Sequence, residues 1–219
     1  EPEYLPALTA LARDWEVDAV IPSISEELPL LAAGRDLLGV PVLIGAPEAV
    51  GIADDKLRTA QWLQSAGVPV PRFAVPSDLP TAADAIDEFG SAIIVKPRVS
   101  RGGRGVQLIE RHDLESAAAG HFWGGLDDTM IVQEFAAGAE YAPVLFRHAD
   151  GTFAACTVLR KTALKEGVVG NALSAVRAEG VEDADVAAVA RAAADAIGLG
   201  GPADIDVRRL ADGTPVVLE

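Results

Sequence analysis

The stretch from Ala92 to Glu110 constrains the fold more than any other. An apolar run, Ile93-Ile94-Val95, ends in Lys96-Pro97-Arg98, passes through Ser100-Arg101-Gly102-Gly103-Arg104-Gly105 and returns as Val106-Gln107-Leu108-Ile109. This pattern predicts a glycine-rich β-hairpin with cations at its mouth. Residues without a Cβ let backbone amides approach an anion closely, and successive amides pointing one way form a phosphate-sized concavity. The same residues also suit an ordinary flexible turn with solvated arginines. The rest of the chain has to decide between the two.

The chain has 219 residues, half of them apolar, enough for a buried core. Its net charge of −15 argues against a nucleic-acid or anionic-membrane partner. No apolar run approaches the roughly 20 residues that span a bilayer, and Glu1-Pro2-Glu3-Tyr4 does not resemble a signal peptide, so a cytoplasmic setting is expected. Cys156, the only cysteine, sits in an apolar strand and excludes an internal disulfide. His112, His121 and His148 are far apart in sequence and are assigned no chemistry. Of 18 basic residues only Lys56, Lys96, Lys161 and Lys165 are lysine. A compact ammonium is not interchangeable with a guanidinium, which singles these positions out.

In chain order, residues 4 to 14 predict a helix, Val17 to Pro22 a strand, Glu26 to Leu38 a helix and Val42 to Ile44 a parallel strand: a βαβ unit that needs more sheet than two strands. The chain is therefore expected to begin inside a domain. Asp54-Asp55 cap a helix from Lys56 to Ala66, which places Lys56 in a first turn where a cation is disfavoured unless it holds an anion. Thr81 caps a helix to Phe89, and Asp113 is expected to cap another from Leu114 to Ala119. Met130 to Phe135 predicts a strand, followed by a hinge at Phe135 to Gly138. Tyr141 to Arg147 and Phe153 to Arg160 form a hairpin, Lys161 to Asn171 a loop, and Ala184 to Ile197 a helix.

The last element predicts a hairpin of Ala203 to Leu210 with Thr214 to Glu219 around Asp212-Gly213. A two-residue or symmetric four-residue turn puts Asp206 opposite Glu219 and Val207 opposite Leu218. Two opposed carboxylates destabilise a hairpin, and a divalent cation would offset that cost. The alternatives are that both point into water, or that a bulge shifts the register.

Taken together, a lysine opening a helix, a strand ending in Lys-Pro, a glycine-rich hairpin, a strand ending in Gln-Glu with a hinge, a downstream glutamate and an acidic strand pair resemble the ATP-grasp superfamily. The variety is similar to the carbamoyl-phosphate synthase large subunit and related carboxylate-amine ligases. The resemblance implies two α+β lobes around an ATP site (residues 53–219, with a lid lobe near 91–136 and a C-terminal lobe near 137–219). A partial Rossmann-like pre-ATP-grasp domain (1–52) would precede them. It implies that Lys56 and Lys96 reach the ATP phosphates under a mobile lid of Ser100, Gly102, Gly103 and Gly105. Gln133, Glu134, Phe135 and Ala136 would line the adenine, and Glu140 would bind the ribose. Asp206 and Glu219 would hold magnesium, with manganese as an alternative. Lys161 and Arg98 would serve catalysis, with Lys165 or Asn171 nearby. Two departures stand out. Asp206 replaces the longer Glu or Gln of many relatives, and the family's Asn and Arg after the final Glu are absent, so the chain is expected to be a fragment or its metal site short of a ligand.

The implied reaction is phosphoryl transfer from ATP to a small-molecule carboxylate, followed by attack of an amine on the acylphosphate. A homodimer is compatible with it. The alternatives are a small-molecule phosphotransferase without ligation and a non-catalytic ATP-binding or regulatory module. A dinucleotide-binding oxidoreductase is disfavoured, because no Gly-x-Gly-x-x-Gly follows a strand.

Overall fold

The computed structural model describes residues 3–165, 167, 169–178 and 180–219, with side chains at 117–119 and 181–183 left aside. The N-terminal segment carries α1 (Tyr4–Asp14), α2 (Leu28–Gly34) and α3 (Pro47–Ala53). The helix expected from Glu26 to Leu38 is thus a short α-helix between two 3₁₀ turns. The two expected strands reduce to one parallel bridge, Val20↔Val42, with no third strand beside it among the described residues. Parallel pairing needs a wider sheet to propagate. α3 was not expected, although Pro47 at its first turn is a recognised helix start.

Next come α4 (Lys56–Ser65), β1 (Phe73–Ala74), α5 (Ala82–Phe89), β2 (Ile93–Pro97), β3 (Gln107–Ile109), α6 (Ala117–Gly124) and β4 (Met130–Glu134). Asp55 caps α4 by accepting from the Leu57 and Arg58 amides, and Thr81 caps α5 by accepting from Asp84, each worth about 1 kcal/mol. Asp113 does not cap the helix assigned to it. It lies in a 3₁₀ turn, accepts from the Glu110 amide, and α6 starts beyond it. The four strands form an antiparallel sheet in the order β1-β4-β2-β3. Ile93, Val95 and Val132 point from one face into a core with Ile86, Phe89 and Trp123, leaving the alternate residues on the other face.

The C-terminal lobe contains β5 (Glu140–Arg147), β6 (Phe153–Leu164), β7 (Ala172–Arg177), α7 (Val181–Ile197), β8 (Gly201–Asp204), β9 (Val207–Arg209) and β10 (Pro215–Val217). The sheet order is β10-β9-β5-β6-β7, with β8 also on β5. α7 covers one face through Val186, Ala190, Ala193 and Ala194, against Tyr141, Leu145, Val158 and Val207. The segment expected as a loop from Lys161 is instead the end of β6 as far as Leu164, paired with β7. Glu166 and Val168 of that segment lie outside the described residues. β7 is exposed along its length, so no apolar alternation marks it in the sequence.

The terminal hairpin also differs from expectation. Its strands are β9 and β10, separated from β8 by Ile205-Asp206, and the turn has three residues between Leu210 and Thr214. Gly213 takes φ +89°, the left-handed position that a three-residue loop uses. This pairs Val207 with Val217, one residue away from the expected register. Beyond β10, Asp206 accepts from the Leu218 amide at 2.8 Å and donates to the Glu219 carbonyl at 2.9 Å. Two residues therefore face one, a bulge that returns Glu219 to the side of Asp206.

Candidate active site

A cleft runs between the two sheets. Its lid-side wall is the free face of β2 and β4, where Ile94 is opposite Gln133 and Lys96 opposite Ile131. Lys96 is 7% exposed and Gln133 2% exposed. Among the described residues the Lys96 ammonium has no hydrogen-bond or ion-pair partner, and the Gln133 Nε2 donor is unsatisfied. Burial holds Lys96 below the ordinary lysine range, against the pull of Glu219, while the neighbouring Lys56 lowers it further. A buried donor without an acceptor costs about 1–3 kcal/mol, so this wall favours a ligand that brings acceptors.

The opposite wall is the reverse case. Lys161 Nζ lies 2.7 Å from Glu140 Oε1 and 2.6 Å from Asp206 Oδ1, and Arg208 approaches the other Glu140 oxygen at 3.4 Å. Burial raises the Asp206 carboxyl to about 6, with Lys161 opposing the rise and the Glu219 and Glu140 charges adding to it. Burial also acts to lower Lys161, but Asp206 and Glu140 outweigh it and leave this lysine above its usual range. The Arg208 guanidinium lies 4.8 Å from the centre of the Phe135 ring, closing one end of the cleft.

Lys56 joins the walls. Its Nζ donates to the Ser100 carbonyl and meets Glu219 Oε2, both at 2.7 Å, which explains how a cation is accommodated in the first turn of α4. In the glycine-rich loop, Gly103 has φ +72°, and a Cβ there would come within 3.0 Å of Gly170, so the loop packs on residues 169–171. Its arginines are already engaged. Arg101 lines the cleft but pairs with Asp54 at 2.5 Å and donates to the Ser25 carbonyl, while Arg104 reaches Glu26 at 3.3 Å.

Of the residues singled out in the sequence, Lys56, Lys96, Ser100, Gly103, Gln133, Glu134, Phe135, Ala136, Glu140, Asp206 and Glu219 line this cleft together. Gly102 instead lines a neighbouring cavity, and Gly105 lies against Pro97. Arg98 is outside the lining. Its guanidinium holds the Asp55 cap at 2.6 Å and donates to the Asp128 carbonyl. Glu134 is paired with Arg72 at 3.0 Å. Sequence reading missed Arg208 and Leu218, whereas Asn171, expected near the site, does line the cleft. Arg208 could have been found, because it stands two residues beyond Asp206. Leu218 could not, because only the bulge after β10 brings it to the cleft. A further trio, Glu110, His112 and Asp113, gathers its ligand atoms within 4.8 Å at the surface, away from the cleft.

Residues 53–219 match the ATP-grasp domain, and the chain belongs to that family. It is 31% identical over 94 residues to the carbamoyl phosphate synthase large chain of Mycobacterium sp. (strain JLS), an alignment covering 42% of this chain and 8% of the relative. Its fold is that of the biotin carboxylase complex with β,γ-ATP from Campylobacter jejuni (TM-score 0.71, 22% identical, 98% of this chain and 51% of the other). The same holds for the biotin carboxylase domain of Hydrogenobacter thermophilus 2-oxoglutarate carboxylase, solved with MgADP and bicarbonate (TM-score 0.75, 14% identical, 99% and 50%). The chain thus spans about half of each structural neighbour. No helix among the described residues is long and apolar enough to cross a membrane.

Proposed function

We propose that this chain is the nucleotide-binding part of an ATP-dependent ligase that activates a carboxylate as an acylphosphate for attack by an amine. Residues 53–219 form the ATP-grasp domain and 1–52 part of a preceding substrate-binding domain. The observation that carries the reading is the unpartnered pair Lys96 and Gln133 facing the carboxylates Asp206 and Glu219 across one cleft. In this reading Lys96, Lys56 and the amides of the 100–105 loop receive phosphate oxygens. Gln133 and the Glu134–Ala136 backbone meet the base, and Phe135 and Arg208 close over it.

Asp206 and Glu219 offer hard oxygen donors with mutual repulsion to relieve, which fits magnesium. Bound there, the ion would neutralise charge on the phosphates. Lys161 and Lys56 hold those carboxylates until then and would turn to the transferred phosphate. A substrate carboxylate oxygen attacks the γ-phosphorus and the bond to ADP breaks. The amine then displaces phosphate from the acyl carbon and loses a proton. Positioning and fixed charge do this work without a side-chain nucleophile.

The test is ADP release over a panel of carboxylates with and without amines in magnesium, with products weighed by mass spectrometry. Carboxylate-dependent ADP release with a new C–N bond is expected. ADP without that bond would indicate a phosphotransferase, and nucleotide binding without ADP a non-catalytic module.

A further inference from the structure

The loop from Ser100 to Gly105 has no apolar anchor. Val99, just before it, is 52% exposed, and Gly102 and Gly103 both take left-handed φ, +67° and +72°. Backbone with that freedom loses much entropy when it is fixed. The hairpin is nevertheless tied down at the junction of α3 and α4, where three consecutive residues grip residues 98–101. Asp55 Oδ2 meets the Arg98 guanidinium at 2.6 Å, and the Lys56 amide donates to the Arg98 carbonyl at 3.0 Å. The Lys56 ammonium donates to the Ser100 carbonyl at 2.7 Å, and Asp54 Oδ1 meets the Arg101 guanidinium at 2.5 Å. Arg101 also donates to the Ser25 carbonyl at 3.1 Å.

These ties are not equivalent. The two at Arg98 act before the loop begins. The Lys56 ammonium is shared with Glu219, and in the ligase reading above it turns to the phosphates, which draws it away from Ser100. Arg104 adds a pair with Glu26 at 3.3 Å, but those side chains are 75% and 54% exposed, and water screens them. The Arg101 and Asp54 side chains are only 24% and 27% exposed. Theirs is the tie within the loop that solvent screens least and that phosphate does not compete for. Both acceptors of Arg101, Asp54 and the Ser25 carbonyl, belong to the segment before α4 and not to the cleft carboxylates Asp206 and Glu219.

We propose that Asp54 and Arg101 are a positioning pair: Asp54 holds Arg101, and through it the amides of the 100–105 loop, in place for the phosphates before the nucleotide arrives. This rests on the ligase reading above and adds two residues to which that reading gives no role. The entropy of ordering a glycine-rich loop is then lost on folding and not on binding, so the pair raises nucleotide affinity without touching the nucleotide.

The test is hydrogen–deuterium exchange of the nucleotide-free protein, followed by mass spectrometry of peptides covering 99–105 and 186–197, with calorimetric titration of magnesium-ADP alongside. It compares the unaltered chain, Asp54→Asn, Arg101→Gln and the double variant. Each single change should speed exchange of the loop by about tenfold, the worth of one charge-assisted pair, and weaken magnesium-ADP by about fivefold or more. The double variant should match either single one within about twofold, because both remove the same tie. Exchange in α7 should not change, which separates loop positioning from general loss of stability. Loop exchange unaffected by Asp54→Asn, effects that add in the double variant, or faster exchange in α7 to the same degree would each overturn the proposal. So would tighter magnesium-ADP binding by Asp54→Asn, the result expected if Arg101 is a phosphate ligand that Asp54 restrains. Loop protection that depends on Asp54 in a chain that binds no magnesium-ADP would defeat the ligase reading alone.

Discussion

The two walls of the cleft are built from the same kind of antiparallel strand and carry buried lysines, yet they leave those lysines in opposite states. On β6, Lys161 sits between two carboxylates and its charge is matched inside the protein. On β2, Lys96 is at least as buried and has no partner among the described residues. A buried ion pair lost on one side leaves an uncompensated charge, whereas a lone buried ammonium is a cost the fold already carries. One wall is matched within the protein, and the proposed function gives the other its partner in the nucleotide.

Breaking the matched wall should have the largest effect. Lys161→Ala strands Glu140 and Asp206, and is expected to lower stability by about 3 kcal/mol, or roughly 6–12 °C in melting temperature, followed by circular dichroism. Next comes Asp55→Asn, which tests a support shared by both sides. Burial works against the Asp55 charge, but Arg98 and the Leu57 and Arg58 amides outweigh it and hold its carboxyl below the ordinary range. A lowered folded pKa gives stability that is present above the unfolded value near about 3.9 and is lost as pH falls through the folded one. Denaturant titrations should therefore show the variant about 1 kcal/mol weaker at pH 7 and the gap closing as pH falls below the unfolded value.

The unmatched wall should respond with the other sign. Gln133→Leu removes an orphaned donor and should leave apo stability unchanged or raised by up to about 1 kcal/mol, while ADP affinity falls. A clear destabilisation would mean that Gln133 supports the fold rather than a ligand. The smallest effect is expected at Arg104→Ala, whose exposed pair with Glu26 should be worth less than about 0.5 kcal/mol in thermal melts.

Much of this contrast was legible in the sequence, and the limits are physical. α1, α4 and α5 were readable because leucine spacing and the Asp55 and Thr81 caps are local signals. Lys96 and Gln133 were readable because they sit on strands where alternation fixes a face, and Asp206 and Glu219 because they flank the strands of one terminal hairpin. Register was not. One extra turn residue at Gly213 shifts β9 against β10, and only the bulge at Leu218-Glu219 brings the carboxylates back together. β7 escaped because an exposed strand buries no alternating face. Arg98, two residues beyond Lys96, looked like part of the site, but it lies just past the end of β2 and its guanidinium pairs with the Asp55 cap.

The most direct measurement is magnesium-ADP affinity and apo melting temperature together for Lys96→Met. If Lys96 is held unpaired for the nucleotide, affinity should fall by roughly 30-fold or more while the melting temperature stays the same or rises. Retained affinity, or a loss of stability comparable to that of Lys161→Ala, would contradict the account.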